Sequence, residues 1–200
     1  MNKLTTERRI AVVKALIEGN SIRATCRMLG TAKGTVLRLL AEIGEACAAF
    51  HDRTVQNVAA KRVQCDEIWS FCHAKARNLP AKLEGKPGFG DVWTWVGLDA
   101  DTKLAISWLV GDRGTGEGLV FLRDLASRLA NRVQLTTDGF HGYHRAVEEV
   151  FGWNGVDYAM LVKLYGRGRE TDHGYSPPRC TGTRRDWVMG KPDESHVSTS

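Results

Sequence analysis

From Thr6 to Glu18 the apolar residues Ile10, Val13 and Ile17 return at helical intervals, and Gly19-Asn20 stops the pattern. Ser21 is placed to cap a second, shorter helix whose Ile22, Cys26 and Leu29 share one face, with Gly30 closing it. A third helix is predicted from about Ala32 to Ala49, with Val36, Leu37, Leu40, Ile43 and Cys47 inward and Lys33, Thr35 and Arg38 outward. Phe50 to Arg62 reads as a polar connector, after which the pattern changes to strands. Extended apolar segments cover residues 62–72, 92–98 and 103–110, the last two joined by the turn-forming Asp99-Ala100-Asp101-Thr102 and therefore antiparallel. Trp93 and Trp95 alternate with Val92, Val96 and Leu98, so the sheet is expected to be covered by helices on both faces. A helix from about Glu117 to Asn131 carries the stripe Leu119, Leu122, Leu125, Ala126 and Leu129. A strand Val133 to Thr137 ends in Asp138-Gly139, and a helix Tyr143 to Phe151 and a strand Tyr158 to Leu164 follow. The order is βββαβαβ, an α/β layout. The Pro- and Gly-rich stretch from Ala74 to Asp91 is predicted to be a long flexible loop.

Two hundred residues, 42% hydrophobic and 26% charged, suit one mixed domain with a small accessory domain and exclude repeat arrays and wholesale disorder. Five cysteines without close CxxC pairs argue against a disulfide framework or zinc ribbon, and point to reduced thiols. No secretory signal and no apolar run approaching about 20 residues is present, so a soluble, cytoplasmic protein without membrane contact is expected. The net charge of +5 is unevenly spread: residues 1–60 hold 9 basic and 5 acidic groups, 61–162 hold 12 and 13, and 163–191 hold 7 and 3. Two basic zones around a near-neutral middle suit a polyanion, because phosphate neutralisation dominates nucleic-acid affinity.

Two short helices joined by a Gly-containing turn, the second opening with Lys33, Thr35 and Arg38, describe a helix-turn-helix reader of the DNA major groove. The expected organisation is a DNA-binding domain over residues 1–50, a linker over 51–61 and an α/β domain over 62–200. Lys163, Arg167, Arg169, Arg179, Arg184 and Arg185 fall in what reads as a glycine- and proline-punctuated loop suited to tracking a DNA backbone. Asp66 lies inside a predicted strand, where aspartate is disfavoured by propensity and burial. Asp138 follows another strand. In a ribonuclease-H-like arrangement these strands are neighbours, and the two carboxylates can share a hard divalent cation, Mg2+ or Mn2+. Glu67 is expected to point to the opposite face from Asp66. Tyr143, Trp69 and Trp108 read as core or wall residues, His141 and His144 as helix-start residues, and Asp99 and Asp101 as turn residues.

The runs CDEIWSF (65–71), WTWVGLDADT, GDR (111–113), NRVQLTTDGFHGY (131–143), DYAMLVKLYG (157–166), YSPPRCTG (175–182) and VMGKPDESHVSTS (188–200) together resemble insertion-sequence transposases of the insertion-sequence-one type. The resemblance runs in order through nearly the whole α/β region. It implies a helix-turn-helix that binds the terminal inverted repeats of a mobile element and a ribonuclease-H-like domain with a D-D-E triad. Asp66 would be the first acid and Asp138 the second. It also implies two-metal phosphodiester hydrolysis, strand joining to target DNA, and homo-oligomers assembled on DNA in the nucleoid. The chain departs from the family in opening without a Cys-rich zinc-binding segment. The family's glutamate lies in a helix beyond the STS at Ser200, and Glu194 precedes that motif in a loop. A ribonuclease-H-like domain lacking its last helix is therefore expected, with little cleavage by this chain alone. The alternative is a catalytically dead truncated form acting as a DNA-binding repressor or remnant.

Overall fold

The computed structural model describes residues 4–152, 155–166 and 180–198. It divides into two compact units, one up to Val55 and one from Gln56 onward.

In the first unit, Thr5 caps α1 (Thr6–Ile17) and Ser21 caps α2 (Ile22–Leu29), each side-chain oxygen accepting a backbone N–H of the first turn that has no helical partner. Gly30 ends α2 in the left-handed conformation at φ +56°, which favours glycine. The chain then re-enters α3 (Lys33–Thr54) after two residues. Val12, Val36 and Leu39 form the buried centre, and Ile22, Cys26 and Leu29 pack against it as the sequence predicts. Two predicted stripes are rotated. In α1 the buried residue is Val12, while Ile10 and Ile17 are exposed; in α3 Leu37, Leu40 and Cys47 are exposed, and Val36, Leu39 and Ile43 pack inward. Both helices are apolar on more than one side, so periodicity alone permits either stripe and the partner helices select one. Nor does α3 stop at Ala49. No Gly or Pro interrupts residues 50–54, and the helix runs on until the Thr54 hydroxyl donates to the Phe50 carbonyl at 2.6 Å.

The second unit is a six-stranded mixed sheet of β1 (Arg62–Cys72), β2 (Gly90–Asp99), β3 (Ala105–Gly111), β4 (Val133–Asp138), β5 (Val156–Tyr165) and β6 (Cys180–Met189), in the order β3-β2-β1-β4-β5-β6. The meander β1-β2-β3 is antiparallel, and β4 and β5 run parallel to β1, each entered from a helix: α4 (Thr115–Arg128) and α5 (His141–Phe151). This is the ribonuclease-H-like arrangement expected from the element order. Asp99 braces the β2–β3 turn by accepting from the Asp101 backbone N–H and the Thr102 hydroxyl, and Asp101 pairs with Arg62. Residues 74–91 contain two short 3-10 turns, Ala76–Asn78 and Ala81–Leu83.

Both α4 and α5 lie on one face of the sheet. Trp95 is its centre: fully buried, it meets Phe121 of α4 and Tyr143 of α5 at ring separations of 5.9 and 5.4 Å. Gly97 and Gly118 let α4 approach, since a Cβ at either would come within 3.1 to 3.3 Å of Leu125 or Trp95. The expectation of helices on both faces is not met among the described residues. On the second face Ile68, Trp108, Val110 and Trp187 are exposed; Trp69 is also exposed, so Trp69 and Trp108 are not core residues. The alternation of Val92, Val96 and Leu98 marks a strand with two apolar sides, but says nothing of what covers the second. What crosses it is the chain after β6. Gln64 donates to the Ser198 carbonyl at 2.9 Å, and Gln134 both donates to and accepts from the Asp193 backbone at 3.0 and 2.8 Å.

The basic segment expected as a loop is, in its described part, the edge strand β6, antiparallel to β5. Thr181, Thr183, Trp187 and Val188 supply strand-forming side chains, and exposed charges on an edge discourage further pairing.

Candidate metal centre

The β1–β4 ladder is short, running only from Arg62↔Gln134 to Gln64↔Thr136. Beyond it the strands part, while β4 stays paired with β5 as far as Asp138↔Leu161. Continuing the register by two residues would set Asp66 opposite Asp138, on the face away from α4 and α5. The gap lies at the carboxyl end of β4, where open α/β sheets commonly place their ligand crevice. Side chains from both faces of β1 can reach it. Asp66, Glu67 and Asp138 each bring a carboxylate oxygen there, and these oxygens lie within 4.8 Å of one another.

The expectation that Glu67 stays apart from the two aspartates is therefore corrected. Its side chain does leave β1 on the helix-covered face, opposite Trp95 in the register. With no β4 backbone beside it, the carboxylate bends into the gap. It is 1% exposed and accepts from Arg113 at 3.0 Å. Arg113 also donates to Asp138 Oδ2 at 3.1 Å, and its guanidinium lies 4.9 Å from the Trp93 ring and 4.4 Å from the Phe140 ring. Asp138 Oδ1 accepts from the Phe140 backbone N–H at 2.8 Å, which makes the Asp-Gly turn and the site the same feature. Asp66 Oδ1 accepts the Glu67 backbone N–H at 2.9 Å.

Burial pushes the Asp66 carboxyl above the ordinary aspartate value; the Glu67 N–H pulls it back, the Asp138 charge raises it further, and Lys163 and Arg113 lower it. Burial likewise raises Glu67, with the Tyr143 hydroxyl and Arg113 opposing and Asp138 adding to the rise. The Tyr143 hydroxyl faces Glu67, yet among the described residues neither it nor Glu67 Oε1 completes a hydrogen bond of good geometry. Three carboxylates outnumber the Arg113 guanidinium and the Lys163 charge that reaches Asp66, all donors are hard oxygens, and one buried oxygen is unsatisfied. These residues fit a hard divalent cation.

Lys163 lies on β5, two residues past Leu161, where its charge reaches Asp66. Arg185 pairs across from Leu161 on β6 and is exposed on the same side. Arg184 is committed elsewhere, holding Asp186 through two hydrogen bonds of 2.7 and 2.8 Å. Arg167, Arg169 and Arg179 lie outside the described residues. Lys33, Thr35 and Arg38 occupy the first two turns of α3 in the other unit, Lys33 and Arg38 exposed and Thr35 half-buried. His141 and His144 are exposed at the start of α5 and join no acidic group among the described residues. Sequence reasoning missed Arg113 and Tyr143. The GDR run directly after a strand was the available signal for Arg113.

Cys65, fully buried on β1 between the site and the core, has its thiol pushed up strongly by burial and by the neighbouring Glu67 and Asp66 charges. Native protein treated with a maleimide at pH 7.5 should therefore be modified at the exposed Cys47, Cys72 and Cys180 but not at Cys65. Peptide mass spectra showing Cys65 labelled as fast as Cys72 would contradict this burial.

No protein-family model matches the chain, and no curated protein matches it. Among solved structures, a chain of the Mos1 strand transfer complex shares 16% identity over 79% of this chain and 59% of its own length, with a TM-score of 0.35. A chain of a pre-cleavage Mos1 transpososome shares 12% identity over 79% of this chain and 60% of its own, with a TM-score of 0.30. The chain thus spans about three fifths of the length of the chains it is similar to.

Proposed function

We propose that this chain binds double-stranded DNA and processes DNA strands at a divalent-cation site, as a transposase of the insertion-sequence-one type would at the ends of its element. One observation carries the reading: Asp66 and Asp138, 72 positions apart, converge on one gap between parallel strands. Burying like charges together is costly unless a cation is to be held. A bound Mg2+ or Mn2+ would supply Lewis acidity at a phosphodiester oxygen and a clamp on the attacking and leaving oxygens. The chain's own residues would do the rest. Asp66 and Asp138 present hard oxygens, and Lys163 and Arg185 offer positive charge to phosphates on the same sheet face. Arg167, Arg169 and Arg184 belong to the same basic segment, although Arg184 would have to leave Asp186. Lys33, Thr35 and Arg38 open a helix whose start is suited to the major groove. Assembly into homo-oligomers on DNA belongs to the same reading.

The test is a 5′-labelled duplex incubated with protein and Mg2+ or Mn2+, comparing wild type with Asp66→Asn and Asp138→Asn. Both variants are expected to lose Mn2+ binding, together with any cation-dependent nicking that the wild-type chain shows. Nicking that persists in both, or a wild-type chain that neither nicks nor binds Mn2+, sinks the reading. For the DNA-binding unit, replacing Lys33 and Arg38 together by Ser should flatten the slope of log affinity against log salt by about 2, roughly one per phosphate contact. Fluorescence anisotropy of a labelled duplex between about 50 and 200 mM salt measures it. An unchanged slope would remove these two side chains from the interface.

A further inference from the structure

We propose that Glu67 is a third oxygen ligand of this cation site, so that the described part of the chain carries a three-carboxylate centre. The inference rests on the reading of Asp66 and Asp138 as cation ligands and adds the group that completes them. The Glu67 side chain is 1% exposed, and its carboxylate lies within 4.8 Å of the other two. One of its oxygens, Oε2, takes Arg113; the other, Oε1, is buried with no hydrogen-bond partner. A buried acceptor left unsatisfied costs about 1–3 kcal/mol, and more when charged. The ion pair with Arg113 accounts for Oε2; the Tyr143 hydroxyl faces the carboxylate without completing a hydrogen bond of good geometry, and a cation in the gap would give Oε1 the partner it lacks.

Arg113 is not a substitute for that cation. Its guanidinium is held by the Trp93 and Phe140 rings, takes one oxygen from Glu67 and donates to one of Asp138, and leaves Oε1 untouched. This is how outer partners commonly orient ligating carboxylates: they fix one oxygen and direct the other at the ion. The charges agree as well, since three carboxylates outnumber the Arg113 guanidinium and the more distant Lys163, which leaves the site negative.

Mn2+ alone is the probe, with the full chain. Free Mn2+ is titrated by electron paramagnetic resonance against wild type, Glu67→Gln, Asp66→Asn and Asp138→Asn, with circular dichroism checking the fold of each. Glu67→Gln should weaken Mn2+ binding about 10-fold or more, beside losses at least as large for the aspartate variants. Anomalous diffraction from wild-type crystals soaked in Mn2+ gives an answer that needs no variant: the peak should lie at coordinating distance from Glu67. Wild-type-like binding by a folded Glu67→Gln, or a peak touching Asp66 and Asp138 but not Glu67, overturns the inference and leaves the two-aspartate site standing. Absence of Mn2+ binding by wild type, or binding indifferent to Asp66→Asn and Asp138→Asn, overturns both.

Discussion

Asparagine at position 66 is expected to weaken Mn2+ binding by about 100-fold or more while raising the melting temperature of the cation-free protein at pH 7. The first effect follows from removing a ligand charge, since even outer partners of metal ligands are worth about 10- to 100-fold. The second follows from the sign of the shift. Burial holds the Asp66 pKa above its ordinary 3.8, so the folded state disfavours the charged form. That gives stability below pH 3.8 which is lost as pH rises through the elevated folded value. Asparagine cannot ionise, and its amide oxygen can still accept the Glu67 N–H, so the variant avoids the loss. Its advantage should shrink to nothing below about pH 3.8, the ordinary value. With Mn2+ at 100 times its Kd, wild type should regain about 2.7 kcal/mol and the variant almost none. Thermal melts in EDTA and in Mn2+ across pH 3 to 8 measure both. A variant that melts below wild type in EDTA at pH 7, or that gains as much from Mn2+, contradicts the account.

Replacing Trp95 by Ala should cost about 3–5 kcal/mol and lower the melting temperature of the sheet unit by about 10 °C or more. Three contributions act together. The indole is fully buried, its ring meets Phe121, Phe140 and Tyr143 within 6.0 Å, and its Nε1–H donates to the Asp112 carbonyl at 3.0 Å. Alanine leaves a cavity where α4, α5 and β2 meet, and deprives the Asp112 carbonyl, next to Arg113, of its donor. Metal affinity should therefore fall with stability, because Phe140 is both a Trp95 neighbour and a wall of the Arg113 slot. Urea unfolding followed by circular dichroism measures the loss. A cost below about 1 kcal/mol would mean that the helix layer does not depend on this residue.

Much of the layout was legible because it is written in short-range chemistry. Ser21 and Gly30 announce the ends of α2, the turn at Asp99 to Thr102 announces the β2–β3 hairpin, and β1 starts and stops where its apolar run does. Asp66 was conspicuous because an aspartate inside a strand conflicts with its neighbours, and such conflicts mark sites. Less legible were features with two locally acceptable solutions. The stripe of Ile10, Val13 and Ile17 is as regular as that of Val12 and Leu16, and only contact with α2 and α3 chooses between them. Residues 180–189 read as a loop because Arg184, Arg185 and two glycines nearby mask an edge strand, whose partner β5 is 15 or more positions away.

The amino-acid sequence alone determined the alternation of elements, their caps and turns, the basic stretches, and the out-of-place aspartate within β1, because each depends on residues close to one another along the chain. Only the tertiary structure decided that helices cover one face among the described residues, that β1 and β4 part after three paired residues, and that Glu67, Arg113 and Tyr143 meet in the gap so formed. A side chain's direction from its own strand follows from the pleat. How far it can bend depends on whether a neighbouring backbone stands beside it, and that is set by contacts some 70 positions away along the chain.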